Sequence, residues 1–329
     1  MKILAWGNDT GAKHWRLTDP FKYLSRLGHD AYVSDEEITR KACEWADILV
    51  VSSVVNKDAI ALLYEYQQEK KKKIVVDCDD YFQLNDDSPF QIEHEISDAS
   101  EVIKRTMEVA DLITVSTNRL AYHARELNKN VAVLPNYMDM ERWDLPKVHN
   151  TSDTIRIGWA GSMTHLNDLK SIAKPLKRIC AEFPQVRLIF IGEQRISSEL
   201  EGCPVECMLG VPFDVWPARL NGLQLDIGLA PLLPTEFNKC KTNIKYLEYA
   251  VAEVPGVYSP TVYEHKGFDP KFGLVADTEE QWYNSIKHLI MYPQRRKEIA
   301  DGSYSLVKRR YDLEKNVYKW IETYGNLYL

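Results

Sequence analysis

The chain has 329 residues, 45% of them hydrophobic and 27% charged, with a formal net charge of −7. That length is too great for one comfortable hydrophobic core and suits two domains of roughly 150 residues. The acidic balance excludes a global basic field for nucleic acid or anionic lipid, and cysteines scattered at 43, 78, 180, 203, 207 and 240 exclude a disulfide framework.

Met1 is followed at once by "KILAWG", which reads as a first strand rather than a secretory signal, and no apolar run approaches the roughly 20 residues of a membrane span. The expectation is a cytoplasmic protein with reduced thiols and no transmembrane segment. Cys203 and Cys207 stand close, but no second ligand pair accompanies them, so they read as inert thiols. Lys70 to Lys73 close a helical pattern before a strand and read as a solvated face.

In chain order, β-rich runs fall at 2–7, 30–34, 47–53, 73–78, 112–117 and 131–136, with helical spacing between them, as in Ala59, Leu62, Leu63 and Tyr66. Strands alternating with helices imply parallel pairing, because each crossover needs a helix. The near-continuous apolar run "DILVVSS" fits a central strand covered on both faces. "DMERWDLPKVHNTSD" (139–153) is polar, proline-marked and aperiodic, and reads as a linker. The pattern then restarts at 154–161, 186–192, 205–209, 225–232 and 256–260, with 272–277 as an edge strand, before a helical stretch from 278 to 329. The fold class is therefore α/β, with two tandem Rossmann-like domains facing a cleft and a helical C-terminal tail. The expected boundaries are 1–145, 146–309 and a final helix over 310–329 that crosses back to the first domain. Ligands of such sheets sit at the carboxyl ends of the strands.

The segment "APLLPTEFNKCKTNIKYLEYAVAEVPGVYSP" (230–260) reads strand, loop, helix, strand, with the helix beginning near Thr242. Ile244, Leu247, Val251 and Val254 form its core stripe, while Lys241, Lys245 and Glu248 share another face. A helix N-terminus with two lysines is an anion site, and a carboxylate two turns along suits ribose hydroxyls. From spacing alone, an ordinary surface helix with a Lys–Glu pair is an equal reading.

"FNKCKTNIKYLEYAVAEVPGVYS" resembles the donor-binding segment of GT-B glycosyltransferases, particularly the retaining group often called family 4 (glycosyl transferases group 1). The resemblance implies that Glu248 holds the nucleotide ribose and that Lys241, Thr242 and Lys245 face the diphosphate. The family's Glu-x7-Glu pattern would put its first Glu at position 240, where this chain has Cys240. "IRIGWAGSMTHLNDLKSIAKPL" is similar to the first donor-domain strand and loop, with Gly161 and Ser162 at the phosphate, and "LIFIGEQR" to the next, with Gly192 and Arg195 at its end. "VAVLPNYMDMERW" looks like the end of the acceptor domain, and "GNDTGAKHWRLTDPFKYLSRLGHDAYV" like its opening, with Gly11 and Arg16 toward the acceptor side. His14, in the same loop, is a catalytic candidate.

The stretch "KKKIVVDCDDYFQL" places Asp77-Cys78-Asp79-Asp80 at a strand end. An Asp-x-Asp of this kind holds a divalent metal in a glycosyltransferase class with one nucleotide-binding sheet. The tandem pattern argues against that role here, leaving capping, ion pairing, acceptor recognition or base catalysis by Asp79 or Asp80. His165 stands with His14 as an exposed or hydrogen-bonding histidine near a strand end, and Trp6, Trp15 and Trp159 as core or stacking residues.

The resemblance implies a metal-independent transferase with no cofactor, moving a hexose or pentose from a nucleotide-diphosphate donor. The acceptor stays open among glycan, lipid, protein, small molecule and modified nucleobase. The alternatives are a nucleotide-sugar epimerase on the same scaffold and, because of Cys240, a degenerate nucleotide-sugar or glycan-binding scaffold.

Overall fold

The computed structural model describes residues 1–7, 11–34, 39–52, 57–82, 99–263 and 270–328. Residues 8–10 of the first glycine loop and Ser53, the expected end of the third strand, lie outside the described residues. The chain forms two compact units: Met1–Asp139 with Lys239–Thr242 and Leu313–Leu329, and Met140–Asn238 with Asn243–Asp312.

The first unit holds a parallel sheet of β1 (Lys2–Gly7), β2 (Asp30–Ser34), β3 (Ile48–Ser52), β4 (Lys73–Cys78), β5 (Leu112–Val115) and β6 (Val131–Val133), in the order β2-β1-β3-β4-β5-β6. Every residue of β3 is buried, as its apolar run requires of a strand covered by helices on both faces. β4 is in register with both neighbours, Ser52 beside Asp77 and Asp77 beside Thr114. Leu49, Val51, Ile74, Val76, Ile113 and Val115 form the core on one face of this sheet, together with Cys240 from the later segment.

The second unit repeats the plan with β7 (Ile155–Ala160), β8 (Val186–Ile191), β9 (Val205–Met208), β10 (Ile227–Ala230), β11 (Gly256–Tyr258) and β12 (Leu274–Val275), in the order β12-β11-β10-β7-β8-β9. Its core gathers Ile157, Leu188, Phe190, Ile227, Leu229 and Val257 beneath the helices Ala173–Glu182 and Glu279–Met291. Cys180, Cys203 and Cys207 pack against that core. The stretch expected as a linker has structure: Met140–Trp143 is a short helix with Trp143 buried, and Asn150 Nδ2 donates to Asp226 at 2.8 Å. Aperiodic polar sequence hides such anchors, because each contact is made to a distant residue.

The tail divides. Helix Pro293–Arg310 belongs to the second unit, whereas Leu313–Asn316 and Tyr318–Gly325 pack within the first. There Leu313 N donates to Met138 O at 2.9 Å, Trp320 meets Tyr137 edge-on at 6.0 Å, and Tyr324 meets Phe21 at 6.5 Å. Among the described residues no helix is long and apolar enough to cross a membrane.

Candidate functional site

In the first unit the charged strand-end residues are turned on each other. After β1 the chain enters a π-helical turn, His14–Thr18, which carries Arg16 beneath the end of β4. Arg16 is wholly buried: its Nε donates to Asp77 Oδ1 at 3.0 Å, Nη2 to Asp77 Oδ2 at 2.8 Å, and Nη1 to Asn136 Oδ1 at 3.0 Å and to Leu134 O. Thr114 Oγ1 adds a further bond to Asp77 Oδ2 at 2.7 Å. The planar guanidinium matches the carboxylate bidentately, and desolvation makes the pair costly to break. Arg16 therefore fastens the turn His14–Thr18 to β4 and to the segment after β6, and is closed to an acceptor. Gly11 is exposed at the start of the short helix Gly11–Lys13, and His14 is half-buried.

Asp79 differs from Asp77. It is half-buried as a residue, but its Oδ1 is shut off from solvent and has no hydrogen-bond partner among the described residues. Burial, reinforced by Asp80 and opposed by Arg16, pushes its carboxyl up to about 7. Asp80 is exposed and accepts from Lys241 Nζ at 2.6 Å. Desolvation and the flanking carboxylates raise the Cys78 thiol well above its ordinary range, which makes it a poor nucleophile.

Lys241 and Thr242, expected on the diphosphate, pack with the first unit instead. Thr117 Oγ1 donates to Cys240 O at 3.1 Å, Asn136 Nδ2 to Thr242 Oγ1 at 3.3 Å, and Cys240 is buried in that unit's apolar core. This docking holds 240–242 out of helical form, so the helix begins at Ile244 rather than near Thr242. Cys240 is thus an anchor, and a glutamate in its place would bury a charge in an apolar core.

In the second unit, the loops after β7 and β8 lie backbone to backbone. Gly192 has a φ of +87°, and a Cβ there would fall 1.9 Å from Gly161 O, so only glycine serves. A Cβ on Gly161 would fall 2.5 Å from the Trp159 ring. Ser162 and Thr164 pair their hydroxyls at 2.6 Å, exposed. Arg195 donates through Nε and Nη2 to Glu193, at 2.9 and 2.6 Å, and through Nη2 to Met163 O at 2.7 Å, yet its side chain stays 58% exposed. These bonds hold the buried Glu193 carboxyl below its ordinary range.

Helix Ile244–Val251 buries Leu247 and Val251 as its stripe requires. Of the three residues expected on its other face, Lys245 and Glu248 pair, Nζ to Oε2 at 3.1 Å, while Lys241 lies before the helix. Trp216 Nε1 donates to Glu248 Oε1 at 2.9 Å, so both oxygens of this nearly buried carboxylate are fixed.

The fold recurs in solved structures. The chain superposes on Anabaena HepE in complex with UDP and glucose at a TM-score of 0.71, with 12% identity, over 99% of this chain and 100% of that one. Sucrose-phosphate synthase from Thermosynechococcus elongatus gives 0.70 at 12% identity over 100% and 99% of the two chains. A UDP-forming trehalose-phosphate synthase from Burkholderia xenovorans gives 0.67 at 12% identity over 100% and 99%. The fold is GT-B. No protein-family model and no curated protein matches the chain in sequence.

Within the GT-B frame, the second sheet has side chains that the sequence reading passed over. Glu193, directly after Gly192, sets Arg195; Trp216, after a Pro-marked loop, sets Glu248. Asp168 is buried and accepts from His165 Nδ1, Leu233 N and Asn238 Nδ2, each at 2.8 Å. Only the His–Asp spacing of three on a helical turn could have signalled it; the other partners are remote in sequence. Trp15 and Trp159 are core residues, and Trp6 is half-buried.

Proposed function

We propose that the chain is a glycosyltransferase of family-4 type, which takes a hexose or pentose from a nucleoside diphosphate donor held at the strand ends of the second sheet. The observation that carries this reading is the set of groups there: Cβ-free backbone at Gly161 and Gly192, the half-open cations Arg195 and Lys245, and the fixed Glu248. Each Glu248 oxygen accepts one bond from the protein and keeps a lone pair for a ribose hydroxyl. Arg195, Lys245 and the Ser162 loop would stabilise the leaving diphosphate electrostatically without a metal. The first unit supports that choice, because Asp77, one arm of the Asp-x-Asp, has both oxygens on Arg16. Asp79, raised to about 7, has the basicity a general base needs near neutral pH, and the first unit would carry the acceptor.

HepE is described in complex with UDP and with UDP-glucose, so uridine is the first base to test. Thermal unfolding with UDP, GDP, ADP and TDP, each with and without EDTA, checks the reading. At a hundred times its Kd a nucleotide adds about 2.7 kcal/mol, a shift of several degrees. A shift with one nucleotide that survives EDTA is expected. A shift abolished by EDTA would overturn metal independence, and none with any nucleotide would overturn the donor assignment in favour of the scaffold reading. Consumption of UDP-sugar without any acceptor, giving an epimer, would favour the epimerase.

A further inference from the structure

We infer that His165 is a contact to the donor's diphosphate, held for that purpose by Asp168. The inference rests on the second sheet being the donor side, and it adds a residue to that reading.

The second sheet changes direction at β7: the chain proceeds from β7 to β8 and β9 on one flank, and β10 returns to the other. The crevice at such a reversal is where open α/β sheets take their ligands. His165 ends the tight turn Met163–His165 just past β7. Asp168 joins the two sides of the reversal. Its Oδ2 meets His165 Nδ1, while its Oδ1 takes Leu233 N and Asn238 Nδ2 from the segment after β10.

An ionised carboxylate only accepts, so the ring nitrogen facing Asp168 carries the proton. The Trp159 ring, edge-on with centroids 5.9 Å apart, steadies the imidazole further. Nε2 is thereby turned to the opposite side, and among the described residues nothing hydrogen-bonds it. One ring nitrogen is fixed and the other is presented. Asp168 is the charged group bonded to it, and Arg195, carrying Glu193, holds the same turn through Met163 O. A diphosphate oxygen at Nε2 would place a protonated imidazole between two anions, where its charge is favoured. Asp168 acts here as a positioning residue.

Calorimetric titration of wild type, His165→Asn and His165→Gln with UDP and with uridine tests this. The Asn amide can stand in for Nδ1 and keep the Asp168 bond while removing Nε2; the Gln amide reaches toward the Nε2 position. His165→Asn is expected to weaken UDP on the order of 10- to 100-fold and leave uridine unchanged. His165→Gln should recover part of the loss, and Asp168→Asn should show the same selective loss more weakly. Should His165→Asn not fold by circular dichroism, His165→Ala takes its place. Undiminished UDP affinity, or equal losses for UDP and uridine, overturns the inference. If wild type binds none of UDP, GDP, ADP or TDP, the donor reading itself has failed, which is a separate result; if another base is selected, its diphosphate and nucleoside replace UDP and uridine.

Discussion

The two sheets share a plan but use their strand ends differently. At the end of β4, Arg16 and Asp77 satisfy each other in full burial, and the pair fixes the shape of the first unit. At the ends of β7 and β8, Arg195 is held by Glu193 and Met163 O and His165 through one nitrogen by Asp168, yet the Arg195 side chain stays more than half exposed. The first pair is sealed from solvent on both partners; the second set is fixed by buried carboxylates while part of each partner side chain still faces solvent.

That contrast can be broken most forcefully at Arg16. Arg16→Ala leaves Asp77 buried and unpaired, and should cost about 3–5 kcal/mol in urea unfolding, with UDP affinity of the folded fraction unchanged. A large loss of UDP affinity instead would show that the first unit's pair also serves the donor.

Asp79→Asn comes next. Transfer should fall by about 10²- to 10⁴-fold, and the rising limb of kcat/KM near pH 7 should disappear. Stability should respond oppositely. Because Asp79 titrates near 7 when folded rather than at the ordinary 3.8, the unfolded chain binds fewer protons between those values, and stability falls as pH rises through them. Asp79→Asn should therefore match wild type below that window and exceed it above pH 7 in urea midpoints. A pH-independent difference would remove Asp79 from the role of base.

Glu248→Ala sharpens the comparison from the other sheet: uridine and UDP should both weaken by about 1.5–3 kcal/mol in calorimetry, since the ribose contact is common to them. Loss for UDP alone would move Glu248 from ribose to phosphate. The smallest effect is expected at the half-exposed pair of Lys241 and Asp80, where a double-mutant cycle should give at most about 1 kcal/mol. A larger coupling in the presence of UDP would return Lys241 to the diphosphate.

The strands were legible from sequence because their signal is local. Runs such as Ile48–Ser52 and Val186–Ile191 announce burial by composition alone, and ends are misjudged where exit residues take other partners: the run expected to reach 117 stops at Val115, and Thr117 caps the helix Asn118–Ala124 by accepting from Leu120 N. Glu248 and Lys245 were legible through their spacing on one helix. Arg16 and Asp77 were not, since a pair 61 residues apart leaves no mark in either neighbourhood. Nor was the break at 240–242 before the helix that follows, which depends on Thr117, Asn136 and Asp80 in the first unit's strand-end loops.

That break bears on how the molecule can be taken apart. The polypeptide changes unit after Asp139, Asn238, Thr242 and Asp312, so no single cut yields two self-contained halves. A fragment ending at the expected boundary, 145, would lack Cys240 in its core and would leave Phe21 and Tyr137 without Tyr324 and Trp320. Neither half is a transplantable module; exchanging one with a relative's would require three separate grafts for the first unit, one of them only four residues long.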